Sequence, residues 1–231
     1  MFMKQQQPKI AIITTIYNDY DVVKKLLKAL LEQTSNNFIH YIYDDGSSSI
    51  DNKLITEYID CAKKRNKPYK VIFIKGAINI GCQKAHEYMF RYIKEDYFSW
   101  VDSDDSVTKN FVKVICKHIK KHPETTVFHL NSIIYYDSEY KVRKKHSTGF
   151  YYSQKELRKK DQLLNYCFNS ESKFYHEFVI KKADLLKINP NLTIFCDDHF
   201  QTNWYDAQLM FQLALGGWDL DMYQNPYLKS I

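Results

Sequence analysis

The chain predicts an α/β fold, with a mainly parallel central sheet and helices on both of its faces. Three observations carry that expectation. Short apolar runs alternate four times with segments of helical periodicity, at the spacing of strand–helix–strand units. The runs are brief and almost wholly apolar, as strands buried on both faces are. Three of them also end in hydroxyl, amide or acidic residues, at the strand ends where open α/β sheets bind their ligands.

The elements follow in order. Ile10, Ala11, Ile12, Ile13, Thr14 and Thr15 form the first strand, and Tyr17, Asn18 and Asp19 a turn with capping residues. A helix over 21–33 keeps Val22, Val23, Leu26, Leu27, Leu30 and Leu31 at helical spacing. A second strand over 38–43 closes in Asp44-Asp45-Gly46-Ser47. Then come a helix over 50–64, a strand over 70–74, a helix over 81–94 and a fourth strand over 98–101. Beyond it the pattern loosens. The sequence predicts a helix over 111–122, a longer strand over 126–136 and a basic, irregular stretch over 140–152. A strand end with a short helix follows over 178–188, then a strong helix over 200–215 stopped by Gly216 and Gly217. Without repeats or obvious linkers, one domain over 1–231 is the simplest organisation, with an α/β first half and a less regular second half.

Composition bounds the function. Of 231 residues, 45% are hydrophobic and only 6 are Gly and 5 Pro, so a packed core is expected rather than a disordered or fibrous chain. The net charge of +6 comes mostly from lysines on presumptive helix faces. It suits an anionic ligand such as a nucleotide, or peripheral contact with an acidic membrane surface, and equally suits solvated helix faces. No RNA-binding or zinc-finger signature accompanies it, so no nucleic-acid partner is expected. The 5 cysteines are odd in number and never paired as Cys-x-x-Cys, which fits reduced thiols and a cytoplasmic location. Residues 1–9 are polar and do not resemble a signal peptide, and no apolar run reaches the roughly 18 residues of a membrane span.

The most informative segment is Trp100-Val101-Asp102-Ser103-Asp104-Asp105, where an apolar strand ends in three carboxylates. Like charges so close repel one another unless something positive sits among them. Mg²⁺ or Mn²⁺, which prefer oxygen ligands, is the candidate; a solvated acidic turn is the plainer reading. A calcium loop starting at Asp102 fails, because Val107 and Lys113 stand where Gly and Glu are required. Three other features share a parallel sheet's carboxyl edge with this segment: Thr15 to Asn18, Asp44 to Ser47, and Asn79-Ile80-Gly81 opening a helix. Carboxylates at neighbouring strand ends suit two tasks, accepting hydrogen bonds from a base or ribose and holding a metal against a diphosphate.

This order resembles the GT-A glycosyltransferases of the large family 2, clearly over 10–111 and more faintly to 217. The resemblance implies a Rossmann-like nucleotide-sugar-binding half over about 10–110 and an acceptor-binding half over about 111–231. By that resemblance Thr15, Tyr17 and Asp45 flank the nucleotide base, often uracil, and Asn79 and Ser103 belong to the same donor site. Asp102 touches the ribose or the metal shell, and Asp104 ligates the Mn²⁺ or Mg²⁺ that bridges the phosphates. A later pair, Asp197-Asp198, matches the family's Glu-Asp, whose Asp takes the acceptor proton; capping the helix over 200–215 is compatible with that role.

Two departures stand out. Family members often follow Asn-x-Gly with Ala-Arg-Asn, whereas this chain has Ala85-His86-Glu87, leaving Lys84 or His86 as substitutes for the Arg. The signature of processive polymer synthases is absent. The resemblance therefore implies a metal-dependent, inverting, hexosyltransferase-like enzyme moving one sugar, most simply from a UDP-linked donor, to a hydroxyl on a glycan, lipid-linked sugar or protein. The alternatives are a degenerate module that binds nucleotide or glycan without turnover, and a HAD-type phosphohydrolase built on Asp102 and Asp104.

Overall fold

The structure is a computed structural model and describes residues 8–48, 52–123, 127–134, 178–188, 190 and 220–230. The first half alternates as expected: β1 (Ile10–Ile16), α1 (Tyr20–Leu31), β2 (Phe38–Asp44), α2 (Asn52–Lys64), β3 (Lys70–Lys75), α3 (Cys82–Tyr92) and β4 (Tyr97–Trp100). β5 (Asp105–Val107), α4 (Phe111–Lys121), β6 (Val127–Ile134), β7 (Phe178–Lys181), α5 (Lys182–Ile188) and β8 (Leu220–Ser230) follow.

These strands form one sheet in the order β3-β2-β1-β4-β7-β6-β8-β5. The four strands of the first half are parallel, with Ile10 paired to both Phe38 and Tyr97. β7 then runs antiparallel to β4 and β6, β8 parallel to β6, and β5 antiparallel to β8. The sheet is thus parallel where the sequence alternates and mixed where its pattern loosens.

Burial on both faces explains the apolar strands. Ile10, Ile12 and Ile42 pack with Val23, Leu26 and Leu30 of α1, Ile55 and Tyr58 of α2, and Phe111 and Ile115 of α4. Ala11, Ile13, Phe98 and Trp100 face the other way, against Ala85, Met89 and Phe90 of α3 and Leu185 of α5. The period of two along β1 therefore sorts its side chains between two cores. One consequence is polar. Thr14 and His40, both fully buried, share the α1–α2 face, so their hydrogen bonds must be found inside the protein.

Two strands depart from the expected elements. β5 is three residues long, two of them acidic or hydroxylic, and too short to show periodicity. β8 contains Pro226, which pairs opposite Asn131 where the β6–β8 register shifts. Proline in a strand is confined to edges and such irregularities, and it hides the strand from a pattern reading. The basic stretch over 140–152 and the helix over 200–215 lie outside the described residues. No helix among the described residues is long and apolar enough to cross a membrane.

Candidate active site

The parallel strands β1, β2 and β4 release their chains at one edge, and the loops there enclose a cleft of about 440 Å³. Thr15, Tyr17, Asp45, Asn79, Asp102, Ser103 and Asp104 all line it. Seven residues singled out from separate segments therefore share one pocket. Asp19, Val22, Gly81 and Cys82 complete much of its wall.

The wall beyond β2 is fixed by local chemistry. Gly46 has φ +74, and a Cβ there would lie 2.4 Å from the carbonyl carbon of Ile78 and 2.5 Å from the amide nitrogen of Asn79. Only glycine lets the two backbones approach so closely in that conformation. The contact brings Asp45 under the loop that starts α3, where its two oxygens accept N–H bonds from Ile80 at 2.8 Å and Gly81 at 2.9 Å. Asn79 caps the same turn, its Oδ1 accepting from Gly81 N–H at 2.9 Å. Asp44 turns inward, fully buried, and accepts from the Tyr20 hydroxyl and the Ser47 N–H, each at 2.9 Å. Of the two structures the Asp-Asp pair allows, Asp44 takes the turn residue's part and Asp45 the cleft's.

Asn18 joins this wall to β1. It adopts φ 58, a left-handed conformation that Asn tolerates better than most residues. Its N–H donates to Ser47 Oγ at 2.9 Å, and its Oδ1 accepts from the N–H and hydroxyl of Ser48 at 3.1 and 3.2 Å. Tyr17, beside it, is 48% exposed, so it stands at the surface of the cleft and not in the core.

The opposite wall is the turn between β4 and β5, closed by the Asp105 N–H donating to Asp102 O at 3.1 Å. Asp102 is half-buried and Asp104 exposed to the cleft. Ser103 is buried and its hydroxyl donates to Asp19 Oδ2 at 3.0 Å. Asp19 precedes α1 but makes no side-chain cap, so its carboxylate serves the cleft instead. That is the site residue the sequence reading missed: an acid in a strand-to-helix turn looks like a cap until its partner is seen.

Neither Lys84 nor His86, the possible substitutes for a cleft Arg, lines the pocket. His86 is 1% exposed, with its ring tilted on Trp100 at 5.2 Å and its Nε2 3.4 Å from Thr15 Oγ1. Cys82 covers it, with Sγ 3.6 Å from Thr15 Oγ1 and 3.9 Å from His86 Nδ1. The cleft surface there belongs to Thr15 and Cys82.

A buried polar chain supports the site from below. Tyr69 donates to the Tyr58 hydroxyl at 3.0 Å, and Thr14 donates to Val101 O at 2.9 Å, immediately before Asp102. Those two directions orient the middle: Tyr58 donates to His40 Nδ1 at 2.7 Å, and His40 Nε2–H donates to Thr14 Oγ1 at 3.1 Å. Burial holds His40 neutral, pushing its pKa down to about 3.

Among the described residues no group of three or more His, Cys, Asp or Glu is arranged to hold a metal. A Mg²⁺ or Mn²⁺ site of the kind completed by substrate phosphates needs only one or two carboxylates, and Asp102 and Asp104 on one cleft-lining turn fit that description. Asp197 and Asp198 lie outside the described residues.

Comparison with known proteins agrees with this geometry. The family described as Glycosyl transferase family 2 matches residues 11–183. A curated relative, glycosyltransferase GlyA of Streptococcus pneumoniae serotype 4, is 23% identical over 90% of this chain and 23% of its own length. An uncharacterized glycosyltransferase of Rickettsia typhi is 27% identical over 64% of this chain and 42% of its own. The chain thus spans less than half the length of these curated relatives. Among solved structures, S. aureus TarS 1-349 in complex with UDP-GlcNAc superposes with TM-score 0.74 at 18% identity, covering 96% of this chain and 58% of that one. Mannosyltransferase PcManGT from Pyrobaculum calidifontis, in complex with GDP-Man and Mn²⁺, gives TM-score 0.66 at 13% identity over 97% and 57%. The fold is that of the GT-A glycosyltransferases. The nucleophile of a HAD-type phosphohydrolase ends the first strand of its domain, whereas Asp102 follows the fourth strand in chain order, which argues against that alternative.

Proposed function

Because the chain belongs to glycosyl transferase family 2, we propose that it transfers a single sugar, with inversion, from a UDP-linked donor to an acceptor hydroxyl. The acceptor is a glycan, a lipid-linked sugar or a protein. One observation carries the reading: seven residues from the end of β1 and four loops meet in one cleft whose size suits a small ligand. Thr15, Tyr17 and Asp45 flank the base. Asp45 keeps its two backbone bonds and still has lone pairs for a base N–H. Asn79 and Ser103 shape the donor site around them. Asp102 meets the ribose or the metal's shell, and Asp104 holds the cation. When bound, Mn²⁺ or Mg²⁺ supplies Lewis-acid neutralisation of the departing diphosphate.

In the transfer, the acceptor oxygen forms a bond to the anomeric carbon as the bond from that carbon to the diphosphate oxygen breaks on the opposite face. The acceptor proton passes to Asp198, with Asp197 beside it. UDP and UDP-GlcNAc bound by TarS support a uridine donor, and Mn²⁺ bound by PcManGT supports the metal. A second reading, nucleotide binding without turnover, draws on His86, which replaces the family Arg and is buried off the cleft.

The test is a panel of UDP- and GDP-linked sugars incubated with Mn²⁺ or Mg²⁺ and candidate acceptors, with mass spectrometry of sugar transferred. Metal-dependent transfer from a UDP donor supports the enzyme. Asp198→Asn should abolish turnover and leave donor binding intact. Stabilisation by UDP with no sugar released from any donor favours the binding module, and wild-type turnover in Asp198→Asn removes the assigned base.

A further inference from the structure

A second cavity, of about 460 Å³, opens beside the amino ends of β2 and β3. The active-site cleft lies at the carboxyl ends of the same strands, roughly 20 Å away for a seven-residue strand. The cavity's chemistry is opposite in sign. Lys9, Lys63 and Lys70 line it and no carboxylate does. Lys9 and Lys70 have no ion-pair partner among the described residues, and Lys63 has only Asp60 at 3.5 Å, an exposed pair of little strength. Three lysines bordering one concave surface bring it positive charge and up to nine donors. Such a surface is stabilised by an anion that accepts from more than one of them.

The rest of the lining limits which anion. Ile39, Ile59 and Val71 are partly exposed along it, with Phe38 and Tyr69 buried among the same lining residues, so the cavity offers apolar contact as well as charge. The Tyr69 hydroxyl is already bonded to Tyr58, and Arg65 lies 5.0 Å over the Tyr69 ring with its N–H groups on Lys67 O and Gln33 O. The aromatic wall is therefore rigid and in place before any ligand arrives.

We propose that this cavity is a second binding site, for a phosphate-bearing ligand, held by Lys9, Lys63 and Lys70 and independent of the sugar-transfer cleft. A phosphate group reaches such a site either on a soluble molecule or on a lipid headgroup, and the chemistry of recognition is shared.

The experiment uses the full chain, ¹⁵N-labelled, titrated with inorganic phosphate against sodium chloride at matched ionic strength. Saturable shifts of the Asn36, Asn37 and Lys70 amides are expected. They should weaken at least ~10-fold in a Lys9→Gln/Lys63→Gln/Lys70→Gln variant, which loses every charge-assisted contact, and persist in Asp104→Ala. The three lysines are exposed, so the variant should keep the wild-type melting temperature and its cleft activity. Sedimentation with phosphatidylglycerol and with phosphatidylcholine vesicles separates the sources. Lysine-dependent pelleting with the anionic vesicles alone identifies a headgroup, and phosphate shifts without pelleting identify a soluble phosphate compound. Shifts that track ionic strength alone, or that survive the triple variant, overturn the proposal.

Discussion

The two acidic walls of the cleft are built on different physics. Beyond β2, Asp44 and Asp45 are 0% and 3% exposed, and each accepts two protein hydrogen bonds of known partner. Beyond β4, Asp102 is half-buried and Asp104 exposed, on a turn held through its backbone. The first wall is finished by the protein. The second presents Asp104 at the surface of the cleft, open to solvent. A residue's part in folding and its part in chemistry should therefore separate across the cleft.

The largest expected effect tests the open wall. Asp104→Ala should lower turnover by roughly 10³-fold, the scale of losing a main electrostatic contact to developing charge. Metal-dependent donor binding should be lost with it, while the melting temperature stays at the wild-type value. Activity measured beside thermal denaturation decides it, and a joint loss of fold and turnover would erase the distinction between the walls.

On the held wall the order reverses. Asp44→Ala removes the acceptor that the Tyr20 hydroxyl and the Ser47 amide use at 2.9 Å, at about 1–3 kcal/mol for each bond. Asp44→Asn keeps an acceptor and should restore much of that stability. Gly46→Ala should be as damaging, because its Cβ meets backbone at 2.4 Å in a conformation at φ +74. Urea unfolding of these three variants gives the ranking, and a harmless Gly46→Ala would show that the Asp45 loop is not pinned as described.

The same contrast explains what was legible in the sequence. The alternation from Ile10 to Trp100 could be read because unbroken apolar runs alternate with segments of helical period. The cleft could be read because parallel strands must deliver their carboxyl ends to one edge. The distinction between Asp44 and Asp45 could not, since both are acids before a glycine, and only the approach of Gly46 to Ile78 sorts them. Asp19 was hidden for a related reason: its partner, Ser103, lies 84 positions away. His86 looked like a cleft residue by alignment with an Arg, but its shorter side chain stays under Thr15 and Cys82.

A smaller effect probes the support beneath the open wall. His40 is neutral in the fold, with a pKa near 3 against an ordinary 6.5, so between those values the unfolded chain binds the extra proton. Stability is then full above about pH 6.5 and falls as the pH drops toward 3, by at most about 1.4 kcal/mol per pH unit. Urea midpoints at pH 7 and pH 5 should show the slope, and His40→Gln should flatten it while lowering the pH 7 value. An unchanged slope in that variant would mean that other groups carry the acid sensitivity.

The smallest effect lies where the walls are tied together. Ser103 donates to Asp19 at 3.0 Å, linking the Asp102–Asp104 turn to the start of α1. Ser103→Ala removes one hydrogen bond, about 1 kcal/mol, and leaves Asp19 at a cleft surface that water can reach. The turn keeps its Asp105–Asp102 backbone bond, so Asp104 stays on the wall but is held less firmly. Donor KM should rise about 3- to 5-fold at nearly constant kcat, the pattern of a group that positions the ground and transition states alike. A fall in kcat with KM unchanged would instead place the Ser103–Asp19 link in the chemistry, and the open wall would then be finished by the protein as well.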